Sequence, residues 1–384
     1  MRVLFSATAG YGHFLPLVPL ARAFADEGHD VAFATAGEFR SDVETLGFQF
    51  LPAGLGVAEI QAMYEPYRQQ LKQIPPHERR PFSFRWRMGA VEAPPKLGEL
   101  RDVAAAWAPD LVIHESADLA APIVAASLEL PSAHHSFGRL VPRNAWEAAA
   151  EETVGLWEQV GLEPEPFCGA FRGTYLDICP PSFQSEPLPE GAHSQLLRPT
   201  FPADPTEQPP PWLERLPDRA TVYVTLGTIF NDLSTFRLLL DALANVDCNV
   251  VATVGRDNDP AELGPLPANA IVERYVSQSF ILPRAAAAVG HGGSGSTLAA
   301  LAAGLPLLIL PHGADQFENA GQARTLGTAR MLMPGELNEE AVHEAVVALL
   351  EDGSYRAAAR DVAAEIASMP SPAEVVPLLL GEPS

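Results

Sequence analysis

The sequence predicts an α/β protein made of two Rossmann-like parallel-sheet domains facing one another across a cleft, and three observations carry that prediction. Short apolar strands recur ahead of glycine-containing turns and helices of apolar spacing, which is the βαβ pattern. Seven prolines between residues 199 and 217 divide an earlier set of such units from a later one, and proline at that density suits neither a sheet interior nor a long helix. The chain, at 384 residues, is also long enough to build two cores.

Residues 2–6 form the first strand, and Gly10 to His13 the turn after it. Leu15 to Glu27 is helical by its apolar spacing and stops at Gly28; Asp30 to Ala34 then returns as a strand. A helical crossover of that length joins parallel strands. Asp110 to Ile113 is another strand, leading through His114-Glu115-Ser116 into an alanine-rich helix, Leu119 to Leu128. Both turns are expected on the carboxyl edge of the sheet, where such folds bind ligands. Between these units, residues 55–100 carry prolines, Arg79, Arg80 and the rings of Tyr64, Tyr67, Phe82, Phe84 and Trp86 without clean periodicity. They read as a mobile surface excursion, and excursions of this length tend to be functional. A second irregular region holds Trp146, Trp157, Phe167 and Phe171, any one of which is equally explained by helix packing.

After the proline run, Thr221 to Leu226, Val250 to Val254, Ile271 to Glu273, Ala287 to Val289 and Leu307 to Leu310 read as the strands of a second sheet. A helix near Glu339 to Leu350 follows, and the proline-marked tail is expected to cross back to the first domain. The organisation is therefore residues 1–198, a linker 199–217, residues 218–368, and a terminal segment 369–384.

A formal charge of −23 excludes nucleic acid and anionic membrane as partners, since both require a basic face. Cys168, Cys179 and Cys248 are scattered without metal-site or disulfide spacing, which fits a reducing cytoplasm. The N-terminus reads as a strand and not a signal peptide, and no apolar run is long enough to span a bilayer.

Residues 289–320 carry most of the chemistry. His291-Gly292-Gly293-Ser294-Gly295-Ser296-Thr297 is a glycine turn opening a helix, whose free N–H groups and dipole suit a phosphate. Gly304 and Pro306 end that helix, and Pro311 ends the next strand, which places His312 to Gln316 in the loop above it. Asp315 and Gln316 there suit hydroxyls, as of a sugar. In the first domain, His13 at a strand-end turn is a candidate general base, with Glu115, or alternatively Asp118, to fix its tautomer.

Together Gly10-Tyr11-Gly12-His13, Pro109 to Glu115, Val224 to Thr228, and His291 to Ala320 resemble the GT-B glycosyltransferases, the family of plant and bacterial natural-product glucosyltransferases and antibiotic sugar transferases. Asp315 lies 24 positions beyond His291, as that family's donor signature has it. The resemblance implies an inverting transferase needing no metal or other cofactor, acting as monomer or homodimer, with the nucleotide sugar as substrate. It implies His13 as base and a diphosphate received by the helix N-terminus with Thr228, His291, Ser296 and Thr297, with Gly12, Gly293, Ser294 and Gly295 also binding the donor. It places Asp315 and Gln316 on the sugar, and Tyr275, Val276 and Gln278 on the base. The acceptor, a flat apolar aglycone, would meet Tyr64, Phe84, Trp86, Phe137, Trp146 and His312. Three positions depart from the pattern: Glu115 for aspartate, Ser277 for proline, and Ala299 for a glutamate that bonds ribose hydroxyls. The last favours a dTDP-sugar over a UDP-sugar, because the deoxyribose lacks the 2′-hydroxyl.

Four other readings compete. A nicotinamide oxidoreductase lacks the third glycine after Gly10-Tyr11-Gly12. A non-hydrolysing epimerase needs further acid–base carboxylates, which the motifs do not supply. A silent accessory protein that activates a partner has no use for His13, Asp315 and Gln316. A UDP-glucose-dependent detoxifying glucosyltransferase differs only in donor and acceptor.

Overall fold

A computed structural model describes residues 1–201, 207–227 and 232–381. The chain divides into two compact units. The first comprises Met1–Cys179, Gln184–Arg198 and the segment from Met369; the second comprises Pro180–Phe183 and Pro199–Ser368.

The first unit is built on β1 (Arg2–Ser6), β2 (Asp30–Thr35), β3 (Gln49–Pro52), β4 (Leu111–Glu115), β5 (Ser132–His135), β6 (Thr174–Asp177) and β7 (Ser194–Leu196), in the spatial order β3-β2-β1-β4-β5-β6-β7. Every pairing is parallel. Val3, Leu4 and Phe5 of β1 are fully buried, as a central strand covered on both faces requires. Strand order reverses between β1 and β4, so the loops after these two strands open a crevice at one point of the edge. His13 follows β1, and Glu115 ends β4.

The second unit contains β8 (Thr221–Thr225), β9 (Asn249–Thr253), β10 (Ala270–Glu273), β11 (Ala287–Gly290), β12 (Leu307–Ile309) and β13 (Ala329–Met331), ordered β10-β9-β8-β11-β12-β13. All of its pairings are parallel too, and its order reverses between β8 and β11. Its core joins Val222, Val224 and Val289 to Phe236, Leu239 and Leu243 of the helix Leu233–Leu243. Within the proline-rich segment, Leu213 is buried and the Trp212 indole donates to Glu273 at 2.9 Å.

The structure corrects the reading of residues 55–100. They are mostly helical, as Val57–Leu71, Arg79–Ser83, a wide π-helical stretch Phe84–Glu92, and Ala93–Trp107. Ile60, Phe84, Met88, Leu97 and Leu100 from this run are buried. Prolines at 66, 75, 76, 81, 94 and 95 disguise the helices, and the wider π turns shift the apolar spacing away from 3.6 residues. Arg143–Gln159 in the second aromatic region is likewise one helix, with Trp146 and Trp157 in the core. The terminal segment forms the helix Pro372–Leu379, capped by Ser371, and the carbonyl of Pro370 accepts from Arg198 N at 2.7 Å.

One glycine is required by close approach. A Cβ on Gly173, just before β6, would lie 1.7 Å from the Ser132 carbonyl oxygen of β5. Gly173→Ala is therefore expected to destabilise the first unit by about 3 kcal/mol, read as a lower urea midpoint at unchanged slope; an unchanged midpoint would refute the contact.

Candidate active site

In the first unit a candidate site grows from the ends of β1 and β4. Glu115 is 1% exposed, and a buried carboxylate must be satisfied on all sides. One oxygen accepts from the Thr8 N–H at 3.2 Å and the Thr8 hydroxyl at 2.9 Å. The other accepts from Ala117 N at 2.6 Å and faces His13 Nδ1 at 3.1 Å. Since Glu115 is an acceptor only, Nδ1 carries the hydrogen and the lone pair of His13 stands on Nε2. The longer glutamate thus reaches the imidazole. Phe137 packs edge-on against the His13 ring, with centroids 5.1 Å apart.

Burial opposes the charge on His13, but the Glu115 charge and hydrogen bond outweigh it and raise its pKa above 6.5. Burial likewise opposes the Glu115 charge, and His13 with the Ala117 and Thr8 N–H groups lowers its pKa from 4.5 to about 2. Asp118 serves elsewhere: it accepts from the Ser6 hydroxyl at 2.6 Å and Ala121 N at 3.1 Å, and it pairs with Lys96 at 2.7 Å.

In the second unit a separate candidate site lies at the ends of β8 and β11. His291-Gly292-Gly293 lead into the helix Ser294–Ala302, capped by Gly293 without a side chain. The first-turn N–H groups of Ser294, Gly295 and Ser296 are left open for an anion. A Cβ on Gly227 or on Gly293 would sit 2.5 Å from the His291 ring, so these glycines form its slot. Burial lowers the His291 pKa to about 4, which leaves the ring neutral at pH 7, and its buried Nδ1 has no partner.

Asp315 and Gln316 are at the start of the helix Gln316–Thr325 and not in a free loop. Asp315 accepts from the Ser294 hydroxyl at 2.6 Å and from Asn319 Nδ2 at 3.0 Å. The Gln316 side-chain amide oxygen, Oε1, accepts from the N–H groups of His312 and Gly313 at 2.7 and 3.1 Å, shaping the loop after β12. Sequence reasoning missed Asn319, which is fully buried and also donates to the Gly292 carbonyl at 2.8 Å. Its position one turn after Asp315 was the available signal. Tyr275 is exposed with the Arg256 guanidinium 3.8 Å from its ring centre, Val276 is buried, and Gln278 lines a recess with Tyr223, Ser296 and Thr297.

The other expected residues are spread out. Phe84 and Trp146 are core rings in edge contact. Tyr64, Tyr67 and Trp86 form a stack, with 4.7 Å between the last two centroids. His312 Nδ1 bonds the Leu310 carbonyl in the second unit, and Gly12 lies in the helical turn Tyr11–Phe14 of the first. Thr228 lies outside the described residues. Among the described residues no group of three or more His, Cys, Asp or Glu is disposed to hold a metal, and no helix is long and apolar enough to cross a membrane.

Residues 22–227 match the family model of the N-terminal domain of erythromycin biosynthesis protein CIII-like proteins, and residues 237–381 match that of the C-terminal domain. The chain belongs to this family of natural-product glycosyltransferases. It is 33% identical to the L-demethylnoviosyl transferase of Streptomyces niveus, over 100% of this chain and 98% of that protein. With the 3-alpha-mycarosylerythronolide B desosaminyl transferase of Saccharopolyspora erythraea it shares 29% identity over 98% of this chain and 97% of that one. The crystal structure of the glycosyltransferase SnogD from Streptomyces nogalater is similar at a TM-score of 0.81 and 30% identity, covering 99% of both chains. VinC in complex with dTDP is similar at 0.81 and 25% identity, again over 99% of both. The transferase thus has the GT-B fold and enzymatic class that its motifs imply.

The His13–Glu115 pair has a definite pH signature. The raised His13 pKa stabilises the fold below 6.5 and is lost as pH rises through the folded value; the lowered Glu115 pKa stabilises above 4.5 and is lost as pH falls towards about 2. Glu115→Gln is expected to flatten the acid-side loss of stability between those last two values, measured by urea unfolding across pH. A stability–pH curve indistinguishable from the parent's would refute the pairing.

Proposed function

We propose that this transferase moves a sugar, with inversion, from a thymidine diphosphate donor in preference to a uridine diphosphate one onto a hydroxyl of a small, largely apolar aglycone, with His13 as the base. The observation that carries the reading is the Glu115 contact, which occupies Nδ1 of His13 and leaves Nε2 as the acceptor of a proton. In the step, the acceptor oxygen gives its proton to Nε2 and bonds to the anomeric carbon. The bond from that carbon to the diphosphate breaks on the opposite face, and the nucleoside diphosphate leaves. The Glu115 charge raises the His13 pKa, which makes the imidazole a stronger base than a free one.

The leaving diphosphate is received by the open N–H groups at Ser294, Gly295 and Ser296, with the neutral His291 as an added donor. These dipoles are already oriented, so they stabilise developing negative charge without reorganising. Asp315 and Gln316 keep capacity for sugar hydroxyls beyond the bonds they make within the loop, since a carboxylate offers about four lone-pair directions and an amide two donors. Phe137 beside His13 supplies an apolar wall for the aglycone.

The donor preference has two supports. Similar enzymes include VinC in complex with dTDP and SsfS6 complexed with thymidine diphosphate. Ala299, at 2% exposure on the donor helix, offers a ribose no carboxylate.

His13→Ala should lower kcat by about a hundredfold or more, while dTDP affinity stays within twofold. Full transfer in that variant, tested with dTDP-glucose and a panel of phenols and macrolactone alcohols, would exclude His13 as base. In calorimetric titration dTDP should bind at least as tightly as UDP. UDP binding tenfold tighter than dTDP would end the thymidine assignment.

A further inference from the structure

We propose that Lys96 is a positioning residue for the His13–Glu115 pair, acting through Asp118 and the carbonyl of Ala7. The chain has 25 basic residues, of which only Lys72 and Lys96 are lysines. Lys72 is on the surface, whereas Lys96 is buried in the helix Ala93–Trp107. A buried ammonium must be paired and hydrogen-bonded. Its Nζ lies 2.7 Å from Asp118 Oδ2 and donates to the Ala7 carbonyl at 2.6 Å. A Cβ on Gly54 would be only 3.2 Å from its stem, so the side chain is confined as well as anchored. Two acceptors this close suit a compact ammonium better than a planar guanidinium.

The three residues at the end of β1 then make three successive attachments. The Ser6 hydroxyl donates to Asp118, the Ala7 carbonyl accepts from Lys96, and Thr8 donates twice to Glu115. Glu115 ends β4 and Asp118 follows three residues later in the loop, and the helical turn carrying His13 begins at Tyr11. Lys96, from a third element, therefore locks the two strand ends whose relative position sets the Glu115–His13 distance. If the lock is lost, Thr8 and Glu115 can shift, and the carboxylate no longer faces Nδ1 squarely. The charged groups facing His13 are Glu115 from β4 and Arg87 and Glu92 from the π-helical stretch; those facing Lys96 are Asp118 and, when protonated, His114.

The inference rests on reading His13 as the base, but its test does not depend on transfer. The His13 Cε1–H resonance, assigned by its loss in His13→Gln, is titrated in the full-length protein, in Lys96→Met, in Lys96→Met/Asp118→Asn and in Ser6→Ala. The double variant leaves no unpaired buried charge, and Ser6→Ala removes a single hydroxyl. Loss of the lock should weaken the proton affinity of His13 about tenfold in the Lys96 variants and about threefold in Ser6→Ala. Transfer from dTDP-glucose to 4-methylumbelliferone should fall at least tenfold in kcat for the Lys96 variants, with dTDP affinity unchanged. A purely structural lysine would lower thermal stability and leave the titration where it was, and that result in any folded Lys96 variant overturns the proposal. Should neither Lys96 variant fold, an unchanged titration in Ser6→Ala overturns it by itself. A shifted titration with undiminished transfer in the Lys96 variants would uphold the positioning role and reject His13 as the base.

Discussion

A carboxylate taken out of water has to find a partner for every lone pair or give up its charge, and the first unit is organised around how Glu115 meets that demand. Its partners, Thr8, His13 and Ala117, come from the segments after β1 and after β4, and each meets one of its two oxygens. The same contacts that satisfy the carboxylate set the tautomer of His13 and hold its ring on the edge of the sheet. Burial by itself would lower the pKa of the imidazole; the carboxylate reverses that sign, and it is held ionised first by His13 and then by the Ala117 and Thr8 N–H groups.

In the second unit the glycine turn proposed to receive the diphosphate, residues 291–297, contains no Asp, Glu, Lys or Arg. Burial holds His291 neutral, with a pKa near 4, so the turn offers dipoles and N–H groups in place of a cation. A neutral site of this kind can bind a diphosphate before transfer and release it afterwards more readily than a cluster of lysines or arginines could. Asn319 gives the turn its stiffness, since one amide bonds the Gly292 carbonyl, Ser294 and Asp315. The glycines at 227 and 293 are needed less for backbone freedom than for the space that the His291 ring occupies.

Much of this was legible wherever a local pattern determines an element. The strand at 287–290, the glycine turn and the helix from Ser294 follow from apolar runs, missing Cβ atoms and helix-ending signals within about twenty residues. The helices between 57 and 107 were not legible, because Pro66 inside the first of them, prolines at the start of Ala93–Trp107 and π-type spacing hide the apolar face from a search at 3.6 residues per turn. Edge strands such as Ser194–Leu196 and Ala329–Met331 are three residues long, too short for any periodicity to show.

The sequence by itself determined the class of fold, the two strand-end turns and the presence of an imidazole and two candidate carboxylates near one of them. Only the tertiary structure decided that Glu115 meets His13 while Asp118 meets Lys96, a choice that depends on β1 lying beside β4 in a register pairing Ser6 with His114. It likewise decided that Phe84 and Trp146 are core while Phe137 stands beside the imidazole. The physical reason is range: strand and helix periodicity is written in neighbouring residues, whereas the partner of a buried charge is chosen among groups on other elements that meet only when the sheet has formed.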